Sequence, residues 1–399
     1  MRHLLTPLLV LCMCIAVRAQ STRQFDRLEE VKGLQNRSIT SITQDNLGFI
    51  WFGSQDGLIR YDGYRTRVLK ANLKDPNSIS DNNVRALAKD SSGNLWIATQ
   101  GGGLDHFNAR SEAFTHFKHR PNDPASISGN AVWSVFVDSK GRVWAGTFSN
   151  GLNMIDPRNG RVTRVRESSS APVLAIAEDD AGMIWFSSNG LNRVDPESLT
   201  VENFPAEPDH PASIRKGGIR SLLFDNSTGR IWVGVEDGGL FQFDRTTKRL
   251  MRASVIPANR GFNSIYALHV DTHGNVWAGG NEGAAVLSDS SVDFCKHAPS
   301  DNHSLSTNAV RAVYSDSFGT TWIGTEGGGV NRALNKKAFH VFRNSPSDAS
   351  SLSYNVIRSI YEDRLGAIWV GTQGGGLNRF DPRTAKFETV AAGSREISA

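Results

Sequence analysis

The chain has 399 residues, with 44 basic against 40 acidic side chains and a formal net charge of +4. A balance so near neutral, with no basic run, excludes a nucleic-acid binder that works by neutralising phosphates. Charged residues at 21% and aromatics at 9% exclude a disordered chain, and 38 glycines with nine tryptophans are high counts whose positions are informative.

In chain order, the first element is an address label. Met1-Arg2-His3 is a short basic start, and the run from Leu4 to Val17 is apolar apart from Thr6 and Pro7. Val17-Arg18-Ala19 then puts small residues where a signal peptidase reads. This predicts a signal peptide over 1–19, cleaved after Ala19, and a periplasmic or secreted destination. The run is shorter than the ~20 residues that span a bilayer. No other segment approaches that length, so no membrane span is expected in the mature chain. Cleavage removes Cys12 and Cys14 and leaves Cys295 with no partner for an internal disulfide. Next, Gln24-Phe25-Asp26-Arg27-Leu28 has the pattern of an outer strand, like Ala338-Phe339-His340-Val341-Phe342 much later.

From there the chain repeats. Trp51, Trp96, Trp144, Trp185, Trp232, Trp277, Trp322 and Trp369 are spaced by 45, 48, 41, 47, 45, 45 and 47 residues. Each has glycine three residues before it, and seven have aspartate six before; the fifth copy has Asn226 there, beside Asp225. The eighth copy shows how one unit reads. Val356–Tyr361 is a strand, and Asp363-Arg364-Leu365-Gly366 is a turn in which aspartate bonds the backbone ahead and glycine supplies positive φ. Ala367–Gly371, Leu377–Phe380 and Lys386–Val390 are three further strands. Four-stranded units of this period, unable to bury both faces alone, predict an all-β fold, a β-propeller of four-stranded blades. The eight repeat tryptophans are then scaffold, buried between blades. Ser41, Ala86, Ser134, Ala175, Ser221, Ala267, Ala312 and Ser359 are the small residues that fit near the axis. Two countings are open. Either an N-terminal strand closes a seven-bladed ring over 20–337 and the eighth copy, 338–399, begins a second propeller, or all eight copies form one eight-bladed ring.

The motif Gly366-Ala367-Ile368-Trp369-Val370-Gly371-Thr372, followed by Leu377-Asn378-Arg379-Phe380-Asp381, resembles the two-component regulator propeller repeat. The linking segments Asp348–Ser353 with Asn355-Val356, Pro124–Ile127 and Ser304-Leu305 are similar to that family too, and the resemblance extends over essentially all of 20–390. It implies the extracytoplasmic sensor region of a histidine kinase, a hybrid response-regulator kinase or a diguanylate cyclase, several of which are thought to sense carbohydrates. Such proteins typically carry two seven-bladed propellers, a β-sandwich, a transmembrane helix and a cytoplasmic output domain. Eight copies with no phosphoacceptor helix or nucleotide-binding glycine motif read as a truncated sensor or as a free periplasmic propeller.

Catalytic signatures are sparse. His-Glu-x-x-His, Gly-x-Ser-x-Gly, a phosphate loop and paired cysteines are all missing from the sequence, so no cofactor and no metal are expected. His116 and His119 lie three apart in an outer-strand segment, which places them on opposite faces. The triple glycines at 101–103, 327–329 and 374–376 lie between strands and read as turns. The repeat is also close to the Asp-box of sialidase-type propellers, which makes a secreted glycan-active enzyme one alternative; it needs two carboxylates about 5–10 Å apart. A protein-interaction scaffold is another, and a dimer is compatible with either.

A binding site has a more definite candidate. The residue just before the small one in each first strand varies: Thr40, Arg85, Trp133, Leu174, Arg220, Tyr266, Arg311 and Arg358. Arginine forks and aromatic faces at one register would ring a channel mouth and suit an oligosaccharide, an acidic glycan or another small ligand. Arg85, Trp133, Arg220, Tyr266, Arg311 and Arg358 are therefore the candidate ligand-binding residues. The competing reading is a structural ring in which these arginines pair with aspartates of adjacent blades.

Overall fold

In a computed structural model of the chain, each repeat is organised by its aspartate. The structure describes residues 23–28, 31–168, 171–204, 218–256, 260–288, 291–334, 342–345, 348–381, 384 and 386–390; residues 1–19, where the sequence predicts a signal peptide, lie outside them. In the first copy Asp45 Oδ1 accepts the backbone N–H groups of Leu47 and Phe49 at 2.9 and 3.0 Å, and Oδ2 accepts the indole N–H of Trp51 at 2.8 Å. One carboxylate closes the turn and also fixes the tryptophan of the strand leaving it. Gly48, at φ 91°, takes the backbone conformation that a side chain would strain. The indole bond recurs from Trp144, Trp185, Trp277, Trp322 and Trp369 to Asp138, Asp179, Asp271, Asp316 and Asp363, at 2.8–2.9 Å.

Two copies depart. Asp225 stands one residue further back, bonds Ser227 and Thr228, and leaves Trp232 Nε1 without a hydrogen-bond partner among the described residues. Asp90 turns to Asn94 (3.2 Å) and His106 (3.5 Å), and Trp96 Nε1 is likewise without one.

The strands form eight antiparallel four-stranded sheets, as the repeat predicts. Blades 1 to 8 cover 39–69, 84–117, 132–164, 176–204, 219–252, 265–295, 310–334 and 357–390. Most follow sequence order from the innermost strand outward. Blade 7 is different, because its outer position is taken by the leading strand Gln24–Arg27, which runs antiparallel to Val330–Leu334. Phe25 is buried there, and Arg27 donates to the carbonyls of Ser304 and Asp301, both at 2.9 Å. Most of the matching segment, 338–341, lies outside the described residues.

The chain divides into two compact units between Asn335 and Lys336. In the first unit the innermost strands of blades 1 to 7 neighbour one another in a closed cycle, with Ile39–Gln44 of blade 1 beside Val310–Ser315 of blade 7. The core is accordingly a set of wedges between blades. Trp51, for example, packs with Ile79, Val84, Leu95 and Phe107 of the next blade region, and Trp322 with Ile39, Phe52 and Tyr61 of blade 1. The residue two past each tryptophan is small because the next innermost strand runs against it: a Cβ on Gly324 would stand 2.6 Å from Ile39 Cγ2. The second unit holds blade 8, with its own small core of Leu352, Val370 and Phe387. Its innermost strand, Ile357–Glu362, is exposed along its length.

Candidate functional site

The variable register has a backbone cause. In blades 1, 2, 3, 5, 6 and 7 the innermost strand slips its pairing by one residue at the same place, and the skipped residue is Thr40, Arg85, Trp133, Arg220, Tyr266 or Arg311. In blade 4 the strand begins later, at Ile176, and the N–H groups of Leu174 and Ala175 bond Ser187 Oγ instead. A bulge leaves its extra residue outside the ladder and re-aims its side chain. That side chain is no longer constrained to fit between blades, so its identity is free to vary.

All seven of these residues, with the small residue that follows each, line one cavity of about 660 Å³ where the seven innermost strands converge. The hydroxyls of Ser41 and Ser221 on its wall have no hydrogen-bond partner among the described residues. Arg358 does not line it. It occupies the same bulge in blade 8, in the second unit, and donates to Gln373. The six candidates thus reduce to five that share a cavity.

Two of the cavity's three arginines are paired with carboxylates, but not as a ring of adjacent-blade aspartates. Arg220 donates from Nε (2.9 Å) and from Nη2 to Glu236, which also accepts the Tyr266 hydroxyl at 3.0 Å. Arg311 donates to Glu326 at 2.6 Å and lies 4.2 Å over the Tyr266 ring. Each arginine's carboxylate belongs to its own blade, 16 or 15 residues further on, just past the second strand. The same place holds Phe148 in blade 3, whose ring is 4.6 Å from Trp133, and Gln373 in blade 8. Sequence reasoning missed Glu236, Glu326 and Phe148, because the offset to the partner shifts between 15 and 16 residues from blade to blade. Burial works against ionisation of Glu236, but the bonds and charge of Arg220, then Tyr266 and Arg311, hold its carboxyl below the usual range.

Blade 2 breaks the pattern. Its place is held by Gln100, whose Oε1 accepts from Asn83 at 2.8 Å. Arg85 instead lies over the Trp133 ring, 3.6 Å from its centroid, and meets no carboxylate among the described residues. Burial, and then the charge of Arg220, push its pKa below the ordinary arginine value.

The remaining sequence candidates are structural. His116 bonds Asp105 (2.6 Å) and the Pro76 carbonyl (3.0 Å), whereas His119 bonds the Ile127 carbonyl at 2.8 Å. Gly101–Gly103 forms a turn in which Thr99 Oγ1 donates to the Gly103 carbonyl and accepts from the Gly102 N–H.

Comparison with known proteins agrees with this architecture. The family model described as two component regulator propeller matches residues 33–56, 78–101, 126–149, 304–327 and 351–374. Histidine kinase P4 of Formosa agariphila is 33% identical over 69 residues, 17% of this chain and 5% of that protein. The extracellular domain of a hybrid two component system from B. thetaiotaomicron superposes with a TM-score of 0.69 at 27% identity, covering 92% of this chain and 49% of that one. The chain therefore spans about half the length of that structure and a small part of the curated kinase. Virginiamycin B lyase from Staphylococcus aureus superposes with a TM-score of 0.59 at 15% identity, over 79% of this chain and all of the lyase, a likeness of fold alone. Five of the chain's repeats thus match the two component regulator propeller model, on a fold similar to the extracellular domain of a hybrid two component system.

Proposed function

We propose that this chain is a non-catalytic, ligand-sensing propeller of a two-component or diguanylate cyclase signalling protein, working in the periplasm or outside the cell. Its ligand, a carbohydrate, occupies the cavity at the ring axis. The observation that carries this reading is the division of labour around that axis. Seven blades repeat one scaffold, yet one position on their innermost strands, a bulge in six of the seven, brings side chains of differing chemistry to one cavity. Homology to an extracellular domain of a hybrid two component system supports a sensory role.

The glycosidase alternative is less favoured by the electrostatics. A glycosidase acid needs a carboxyl held above its ordinary pKa. Glu236 is shifted the other way, and Glu326 is paired with Arg311. A thermal-shift screen against oligosaccharides tests the proposal. A ligand at a hundred times its Kd adds about 2.7 kcal/mol, so the unfolding midpoint should rise in the unmodified chain and not in Trp133→Ala or Arg311→Ala. Equal shifts in folded variants would move the site away from the cavity, and release of reducing ends would favour an enzyme.

A further inference from the structure

The charges around the cavity do not close. Arg220 and Arg311 carry their own counter-ions, Glu236 and Glu326, from a fixed place in their blades. Arg85 has glutamine at that place, and the glutamine is bonded to Asn83. The result is a half-buried cation, near a second arginine, with no anion among the described residues. Holding such a charge out of water without a partner is unfavourable, and an incoming anion relieves that cost.

We propose that the ligand of this cavity is acidic, and that Arg85 holds its carboxylate or sulfate group. This rests on the reading of the cavity as the ligand site. The geometry suits it in two ways. The Arg85 guanidinium lies over the Trp133 indole at 3.6 Å. Stacking occupies a face of the guanidinium and leaves its N–H donors, which lie in the plane, for bidentate bonds to an oxyanion. Phe148, 44% exposed and packed against Trp133, adds apolar surface on which the ring of an acidic sugar can rest. The other side of the cavity, Arg220, Glu236, Tyr266, Arg311 and Glu326, satisfies itself and has no comparable demand.

Calorimetry on the full chain tests this with four probes: oligogalacturonate, its methyl ester, a sulfated galacto-oligosaccharide and the unsulfated form. The expected result is that at least one acidic probe binds about tenfold or more tighter than its neutral counterpart, with the carboxylate and sulfate arms telling the two anions apart. Arg85→Gln should abolish that preference. Gln100→Glu is the converse variant: it supplies in blade 2 the carboxylate that blades 5 and 7 already have. It should weaken the acidic probe by about tenfold or more without lowering the urea midpoint, so the test stands even if Arg85→Gln folds poorly. Equal binding of acidic and neutral forms, unchanged by either variant, overturns the acidic ligand and leaves the cavity as a saccharide site. Binding of none of the four overturns both.

Discussion

Trp277 and Trp96 occupy equivalent places in blades 6 and 2, both fully buried, yet among the described residues only Trp277 has a partner for its indole N–H, Asp271 at 2.9 Å. Replacing either by phenylalanine removes similar volume, but only Trp277→Phe also breaks a bond to a carboxylate. Trp277→Phe is therefore expected to cost more than Trp96→Phe, by about 1–2 kcal/mol, measured by urea unfolding. The neighbouring His269 makes stability depend on pH. Its Nε2 accepts the Ser315 N–H at 2.8 Å, and burial, against the opposing charge of Asp271, pulls its pKa from 6.5 to about 4. The unfolded chain takes up this proton below pH 6.5, whereas the folded one does so only near 4. Stability is thus lost as pH falls through that window, by up to about 3 kcal/mol. His269→Gln should flatten the fall in urea midpoint between pH 7 and 5. His116 has the opposite sign. Donation from its Nδ1–H to the Asp105 carboxylate raises its pKa, so its contribution is present in acid and lost as pH rises past the folded value.

At the scale of one blade, the bulge and the place just past the second strand form a pair. The candidate register was legible in the sequence because one position varied between fixed neighbours. Its partners were not, because they lie across a strand pair whose register shift has no sequence signature. Arg220 and Glu236 are 16 apart but Arg311 and Glu326 are 15, since the fifth turn is one residue longer. The small residue after each tryptophan was legible as a pattern, and its reason is contact with the next blade. Gly324→Ala, with its Cβ forced against Ile39, is expected to cost about 1–3 kcal/mol by overpacking the seam between blades 7 and 1. Urea unfolding measures it, and the same change at Gly141, whose Cβ would meet nothing within 4 Å but whose φ is +80°, separates clash from backbone strain.

For the whole first unit, closure depends on one short strand. Gln24–Arg27 completes blade 7, so an edge that would otherwise present unpaired backbone groups is covered. Phe25 anchors it at 1% exposure, in one cluster with Trp277, Leu305 and Ile323. Phe25→Ala is expected to cost about 3–5 kcal/mol, seen as a lower urea midpoint, with light scattering reporting association through the released edge. Blade 8, in the second unit, has its own outer strand, Lys386–Val390, while Ile360 and Tyr361 of its innermost strand are 69% and 66% exposed.

The sequence by itself determined the repeat, the strand order within a blade, the tryptophan scaffold and the register of variable residues. All of these are local or periodic, and periodicity survives in one dimension. Only the tertiary structure decided that blade 1 meets blade 7, that the leading strand rather than a later one fills the outer place, and that Arg358 belongs to the second unit. It also decided which arginines are neutralised. Those outcomes depend on which strands meet in space, and strand pairing between the two ends of the first unit leaves no period to read.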